Sequence, residues 1–230
     1  MDMSPRGRTA AALLLGAFTL AGCRSAGAPP PGAGSGSLAE LEALYQARMD
    51  STRLSVHPAD VAFMTGMIGH HAQALVMSAW APVNGANESV QTLAARIINA
   101  QKDEIGLMQR WLGEREQPVP QVDPSGRMAD AGGHDMQGMH GDHAMMPGML
   151  SQAQLDELEQ ARGSAFDRLF LTYMIQHHKG AITMVHDLFE QDGAAQDDFV
   201  FKLASDIQVD QTTEVARMQR MLDAMTGTGS

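Results

Sequence analysis

The 230-residue sequence has very little cysteine, few aromatic side chains and few basic ones. Cys23 is the only cysteine, which excludes an internal disulfide and a metal site built from several thiolates. Lysine and arginine number 16 against 27 aspartates and glutamates, a net charge of −11, which disfavours nucleic acid as a partner and favours cations. Aromatic residues make up only 5% of the chain, but methionines number 18, more than packing alone leads us to expect.

Several sequence patterns are also missing. No segment alternates polar and apolar residues as a strand would, and the chain has no phosphate-binding glycine-rich motif, G-x-S-x-G turn or C-x-x-C-H haem motif. It also lacks Glu-x-x-His and Asp-x-x-His, of which the first is typical of ferritin-like di-iron sites. These absences favour an all-α protein, and we expect it to be a binding protein and not an enzyme.

The N-terminus has the pattern of a bacterial export signal. Arg6 and Arg8 precede an apolar run over residues 9–20, and this run is too short to span a bilayer as a mature helix. The run ends in "LAGC", which resembles the lipobox of bacterial lipoproteins, whose cysteine is lipidated. The sequence therefore predicts a signal peptide over residues 1–22, a lipid anchor at Cys23 and a location outside the cytoplasm. A plain secretory signal with a chance cysteine is the alternative.

The rest of the chain divides into a tether, two helical repeats and a loop. Gly, Pro, Ala and Ser dominate residues 23–37, which predicts a flexible tether behind the anchor. Helical periodicity covers a first repeat, residues 38–113, and a second repeat, residues 151–226. Between them, residues 114–150 combine four prolines with six glycines, which predicts a long loop. Each repeat has a short helix before two long ones.

The two repeats match around a pair of adjacent histidines. Adding 107 takes "MIGHHAQALVM", residues 67–77, onto "MIQHHKGAITM", residues 174–184. Adding 110 takes Glu104 and its neighbours in the next helix onto Glu214 and its neighbours. A duplicated helical hairpin predicts a four-helix bundle. We therefore predict an all-α fold made of two duplicated hairpins.

The histidine pairs lie on the apolar face of their helices. Successive helical residues are about 100° apart, which places both His70 and His71 in the stripe that faces the core, but this spacing leaves open which one points farther inward. Glu104 and Glu214 occupy core positions of the partner helices, where a carboxylate is costly unless it is paired. We expect both glutamates to meet the histidines, either orienting an imidazole or joining a metal directly.

The loop carries a second concentration of possible metal donors. Within "HDMQGMHGDHAMMPGM", residues 134–149, methionine and histidine fill half of the positions of a glycine-rich segment that we expect not to pack. Thioether and imidazole are soft donors that suit Cu(I), with Ag(I) as its mimic. A low-complexity linker with methionine by chance is the alternative. The loop donors are His134, Met136, Met139, His140, His143, Met145, Met146 and Met149.

The sequence is similar to the domain-of-unknown-function 305 family over about residues 38–225. The segments "MIGHHAQALVM" with "AQKDEIGLMQRWL", and "MIQHHKGAITM" with "DQTTEVARMQRML", carry the resemblance. It implies a ferritin-like four-helix bundle that binds copper, chiefly Cu(I), in the periplasm and serves copper tolerance or delivery, with a copper-trafficking protein as a possible partner. The ligands that it implies are Met67, His70, His71, Met77, Met174, His177, His178 and Met184, with Met108 and Met218 as weaker candidates.

Two other functions stay open from the sequence. A ferritin-like oxidoreductase would use metal ions for redox chemistry, although the core positions of the long helices supply only two carboxylates, Glu104 and Glu214. A structural or interaction bundle without metal would keep the histidine pairs for packing alone, as single core histidines often are. The recurrence of histidines, methionines, glutamine and glutamate as one set in both repeats favours the metal-binding interpretation.

Overall fold

The computed structural model describes residues 37–123, 126–128 and 146–227. The chain divides into two compact units, Met1–Ala43 and Leu44–Ser230, and the second contains the bundle. Within the described residues the only β-pairing is a single bridge between Val122 and Met128. The elements of this part of the chain are helices: α1 Leu38–Leu54, α2 Pro58–Val83, α3 Glu88–Glu114, α4 Gln152–Gln160, α5 Gly163–Phe189 and α6 Asp198–Thr226.

Capping residues begin both helices of the first hairpin. The His57 side chain accepts a hydrogen bond from the Ala59 backbone N–H at 3.2 Å, and Pro58 occupies the first turn of α2, where its missing N–H costs nothing. Asn87 caps α3 by accepting a hydrogen bond from the Val90 N–H at 3.0 Å. Because the connection between α2 and α3 is short, the two helices form an antiparallel hairpin.

The second hairpin begins with the capping residues that its sequence indicates. Ser151 and Gln154 form a capping box at the start of α4. Asp197 caps α6 by accepting hydrogen bonds from backbone N–H groups in the first turn of the helix. Gly227, with a φ of 71°, ends α6 in the left-handed conformation that glycine adopts without strain. The helices α5 and α6 pack against each other and form the second hairpin.

Two buried aspartates at equivalent positions of the repeats tie the hairpins together, and α2 packs directly against α5. Asp60, in α2, accepts a hydrogen bond at 2.7 Å from the backbone N–H of Ala195, in the turn before α6. Asp167, 107 residues later in α5, accepts one at 3.1 Å from the backbone N–H of Asn87 and one at 2.8 Å from its side chain. Each hairpin thus supplies a carboxylate to the turn of the other, and hydrogen bonds to carboxylates are among the stronger ones.

The core consists of two apolar clusters with a polar layer between them. One cluster packs around Met67 and Met108, and the other around Met77, Met174 and Met218. Along each long helix, the buried residues of the polar layer fall between the residues of the two clusters. They are His70 and His71 in α2, Gln101 in α3, His177 and His178 in α5, and Gln211 in α6. None of the described helices is both long and apolar enough to cross a membrane.

Candidate metal centre

The four predicted histidines are all fully buried in the polar layer. His70 and His177 face each other between α2 and α5, with ring centroids 3.8 Å apart and ring planes inclined by 39°. We term these two residues the central pair. His71 and His178 turn away from it, with ring centroids 6.5 Å and 6.2 Å from those of their chain neighbours. The first histidine of each "HH" therefore meets its counterpart from the other hairpin.

The second histidine of each "HH" contacts the glutamate of its own hairpin. His71 Nε2 lies 2.6 Å from the Glu104 carboxylate, and His178 Nε2 lies 2.7 Å from the Glu214 carboxylate. The glutamate side chains are 13% and 21% exposed, so each one links a buried ring to the protein surface. The expected contact between the core glutamates and the histidines is thus observed. Helical spacing left open which histidine of each pair points farther inward. The first histidine faces the other hairpin, and the second faces the glutamate of its own hairpin.

Many polar side-chain atoms of this layer have no hydrogen-bond partner. An unpartnered buried polar atom costs about 1–3 kcal/mol, and a ligand that accepts a lone pair removes part of that cost. The chemistry of these atoms, mostly imidazole nitrogens, fits a metal that takes nitrogen donors. The unpartnered atoms are both ring nitrogens of His177, the Nδ1 atoms of His70, His71 and His178, the side-chain oxygen and nitrogen of Gln101, and the side-chain oxygen of Gln211.

Burial keeps the central pair uncharged. Burial, with a smaller contribution from neighbouring His71, lowers the pKa of His70 from 6.5 to about 3. Burial likewise lowers the pKa of His177 well below 6.5, with His70 contributing in the same direction. Both rings are therefore neutral near pH 7, and the neutral imidazole is the form that binds a metal.

Carboxylates collect on the α3 and α6 side of the layer. Burial raises the pKa of Asp210, in α6, and the negative charges of Glu104 and Glu214 raise it further. Each of these glutamates also contacts a buried histidine. A partly exposed group of carboxylates lowers the local electrostatic potential and so attracts cations to this side of the bundle.

Methionine sulfurs are available on both sides of the polar layer. Met67, Met108, Met77, Met174 and Met218 are fully buried in the two apolar clusters, where they also serve packing. The described part of the chain has no group of three or more His, Cys, Asp or Glu side chains arranged to hold a metal ion.

The end of the Met/His-rich loop covers the central pair. Residues 146–150, which we term the strap, return to the groove between α2 and α5. His70 Nε2 donates a hydrogen bond to the Pro147 carbonyl at 3.1 Å. Gln73 binds the Leu150 backbone through both its side-chain oxygen and nitrogen, at 2.8 Å and 3.1 Å. Since the proton of neutral His70 is then on Nε2, the free lone pair is on Nδ1.

Two glycines allow the strap to approach the helices this closely. A Cβ on Gly180 would lie 2.0 Å from the Pro147 carbonyl oxygen, and a Cβ on Gly148, with a φ of 76°, would lie 2.6 Å from the Gln176 carbonyl oxygen. Only glycine fits either position without displacing backbone. The expectation that this glycine-rich loop does not pack is therefore wrong at its end, because Met146 and the rest of the strap are packed against the helices.

The other predicted donors are only partly described. Met149 is half-buried within the strap, and Met184 is half-buried on α5. The predicted lipidation site, Cys23, lies outside the described residues. The remaining loop donors also lie outside them, namely His134, Met136, Met139, His140, His143 and Met145.

Comparison with known protein families identifies the chain. The sequence matches the family described as "Domain of unknown function (DUF305)" over residues 60–222, which is most of its length. The protein belongs to the DUF305 family. The predicted resemblance is confirmed, and so is the all-α fold. A comparison with curated proteins finds no match.

Solved structures of two DUF305 proteins and of CopM share this fold. A DUF305 fragment from Deinococcus radiodurans is 29% identical with a TM-score of 0.59, over 74% of this chain and 99% of that one. A predicted secreted DUF305 protein from Streptomyces coelicolor is 27% identical with a TM-score of 0.58, over 73% and 94%. CopM in its Cu(II)-bound form is 28% identical with a TM-score of 0.52, over 72% and 96%. CopM is also solved in Cu(I)-bound, Ag-bound and apo forms.

Sequence reasoning missed the residues that attach the strap to this DUF305 bundle. Gln73 binds the strap through its side chain, and Gly180 makes room for it. These two residues are equivalent positions of the repeats, since 73 plus 107 is 180. The first repeat has a glutamine after its histidine pair where the second repeat has a glycine. This difference is the sequence signal that could have predicted the strap. A glycine at this position indicates that a segment other than a helix packs against α5 there.

Proposed function

We propose that this DUF305 protein binds copper outside the cytoplasm, capturing Cu(I) and buffering it or passing it on. The observation that carries the proposal is the central pair: His70 and His177 are fully buried, neutral, 3.8 Å apart between ring centroids, and bear unpartnered nitrogens. Rings kept only for packing would leave those nitrogens unpartnered at a cost in stability, whereas a bound soft ion uses them.

The donor chemistry supports a soft ion. Met67 and Met174 each precede a central histidine by three residues, so each lies on the same helix face as that histidine. Thioether sulfur and neutral imidazole together suit Cu(I) and Ag(I) far better than Mg, Ca or Mn ions. Structures of CopM with Cu(II), Cu(I) and Ag bound support the same choice of metals.

Glu104 and Glu214 orient histidines in this proposal. Each carboxylate contacts the Nε2 atom of its histidine, which in the neutral ring leaves the lone pair on Nδ1. The Nδ1 atoms of His71 and His178 are buried and unpartnered. A carboxylate that holds a ring in one orientation in this way strengthens it as a metal ligand.

His177→Leu tests the copper proposal, because neither ring nitrogen of His177 has a hydrogen-bond partner of good geometry to lose. We expect Cu(I) affinity, measured by competition with a chromogenic chelator, to fall by more than about tenfold, or about 1.4 kcal/mol. The unfolding free energy of the metal-free variant should not fall, since a buried unpartnered group is replaced by an apolar one. His186→Leu is the matched control, because His186 is exposed on the same helix. Equal affinity in His177→Leu and wild type would contradict the proposal.

The proposed role is binding and not catalysis. The ferritin-like oxidases draw on four carboxylates, whereas the glutamates that contact this layer are Glu104 and Glu214, each engaged with a histidine. We expect aerobic oxidation of Cu(I) and of Fe(II) to be no faster with the protein than in a protein-free control. Faster oxidation would favour the oxidoreductase alternative.

We further propose that Cys23 carries a lipid that holds the protein at the outer face of a membrane, where residues 134–149 collect ions and a copper-trafficking protein receives them. The Streptomyces coelicolor relative, a predicted secreted protein, supports a location outside the cytoplasm. We expect wild type to incorporate labelled fatty acid and to fractionate with membranes. Cys23→Ala should do neither, and a membrane-bound Cys23→Ala variant would exclude the anchor.

A further inference from the structure

Two methionines converge on Gly66, one helical turn before the central pair. The Sδ atom of Met146 and the Cε atom of Met184 each lie 3.4 Å from the position that a Cβ of Gly66 would occupy. Met146 comes from the strap and Met184 from α5, so the two side chains reach this place from separate segments. Both are half-buried, unlike the fully buried methionines of the two apolar clusters.

The strap connects this place to the central pair. Met146 lies over Gly66, and the next residue, Pro147, accepts the hydrogen bond of His70. Gly66 and His70 are four residues apart on α2, which places them on the same face, about 6 Å apart along the helix. The methionines therefore lie in the same groove as the buried histidines but nearer to the surface.

The second repeat has no such opening. The residue equivalent to Gly66 is Tyr173, and the residue equivalent to Met184 is Met77, since both pairs differ by 107. Tyr173 packs against the apolar cluster that contains the fully buried Met77, and its hydroxyl donates a hydrogen bond to Glu157 of α4. An aromatic ring thus occupies the position that is left open beside Gly66. The second repeat therefore has no glycine on which two methionines converge at this position.

A shallow cavity lies beside Met184. It has a volume of about 130 Å³, and Met184 forms part of its wall together with Phe63 and the exposed carboxylate Asp187. Thioether sulfur remains a neutral donor at every pH, so the site needs no deprotonation to accept an ion. The nearby carboxylate favours a cation over an anion.

We infer that Met146 and Met184 form a second soft-metal site, separate from the central pair, that takes a monovalent ion such as Cu(I) or Ag(I) from solvent and lies on its path to the histidines. The inference rests on the proposed function for the choice of Cu(I) as the physiological ion. The site itself depends only on the convergence of two sulfur-bearing side chains over a glycine.

An Ag(I) titration of the full chain, with isotope-labelled methionine methyl groups observed by NMR, tests this inference. Met146→Leu and Met184→Leu assign the two methyl resonances. We expect both resonances to move in the same titration step in wild type, and the Met146 resonance to stop moving in Met184→Leu. Met221→Leu, which removes a half-buried methionine of α6, is the control and should leave both movements intact.

Failure of this inference can be distinguished from failure of the copper-binding proposal. In His177→Leu the central pair is lost, and the Met146 and Met184 resonances should still move together with Ag(I). If they move only when His177 is present, or in different steps of the titration, there is no separate site. If they move as expected while His177→Leu and wild type bind Cu(I) equally, the methionine site stands and the proposed central site does not.

Discussion

At the scale of single residues, the contact between His71 and Glu104 shows why a carboxylate is tolerated at a core position. The ring is fully buried, and its Nε2 atom lies 2.6 Å from a carboxylate that is still 13% exposed. The glutamate therefore supplies the buried ring with a partner while keeping part of its own contact with water. A buried polar group that loses its partner bears the full cost of its desolvation.

Glu104→Ala should lower the unfolding free energy by about 1–3 kcal/mol, because it leaves His71 without a partner for either ring nitrogen. Urea unfolding followed by circular dichroism measures the change. Asp103→Ala is the matched control, since Asp103 is the preceding residue of α3 and is exposed. Its effect should stay within about 0.5 kcal/mol. Equal losses in the two variants would mean that the buried contact has no special role.

The lowered pKa of the central histidines predicts that the metal-free protein loses stability in acid. Below pH 6.5 the unfolded chain takes up a proton at His70, whereas the folded chain does not do so until about pH 3. The unfolded state then binds more protons, so stability is complete above pH 6.5 and falls as pH falls, by about 1.4 kcal/mol per pH unit for each such histidine.

Unfolding free energies measured between pH 7 and about pH 5 check this slope. His177→Leu should reduce it, because one of the two buried titrating groups is removed. His186→Leu should leave it unchanged, because that histidine is exposed. A slope that is the same in all three proteins would show that the central pair does not cause the acid sensitivity.

At the scale of elements, the strap has no regular structure, yet its position is determined by specific contacts with two helices. Gln73 holds its end through two hydrogen bonds, His70 holds its middle, and Gly180 leaves room for the Pro147 carbonyl. Irregular backbone over a buried site must find partners for its polar groups, and here the helices provide them. Displacing the strap should therefore uncover the central pair.

Gly180→Ala should detach the strap, because the added Cβ would lie 2.0 Å from the Pro147 carbonyl oxygen. We expect faster hydrogen exchange at the Leu150 amide, which donates to Gln73 in the native state. Gly106→Ala is the control, since no atom lies within 4 Å of its added Cβ. It should keep exchange at Leu150 slow and stabilise α3 by up to about 1 kcal/mol. Slow exchange in both variants would contradict the role given to Gly180.

At the scale of the whole molecule, the two hairpins are joined through α2 and α5 and through the exchanged carboxylates Asp60 and Asp167. The central pair takes one ligand candidate from each hairpin. The two aspartates join the hairpins at the ends of the bundle. An ion held by both rings would join them at the middle as well. A ligand that binds only the folded state stabilises all of it.

Thermal and chemical unfolding with Ag(I) should show this stabilisation. Once free Ag(I) exceeds its dissociation constant, each tenfold increase should add about 1.4 kcal/mol to the unfolding free energy. His177→Leu should respond less than wild type, because it lacks one ring of the pair. If Ag(I) leaves the stability of wild type unchanged, the bundle without metal becomes the better interpretation.

The sequence by itself determined the helices, the family and the burial of both histidine pairs, because each follows from local periodicity and from a motif that recurs at a fixed spacing. Capping at Ser151 follows from a short-range rule, and the contact of Glu104 with a histidine follows from the cost of an unpaired carboxylate at a core position. Only the tertiary structure decided which histidines meet, since neighbours about 100° apart on one helix are separated only by what packs against each. The tertiary structure alone placed Met146 beside Met184 and the strap over His70, because these contacts join segments that are distant in the sequence. They depend on glycines, which the sequence pattern indicates as flexible but whose small size permits close packing.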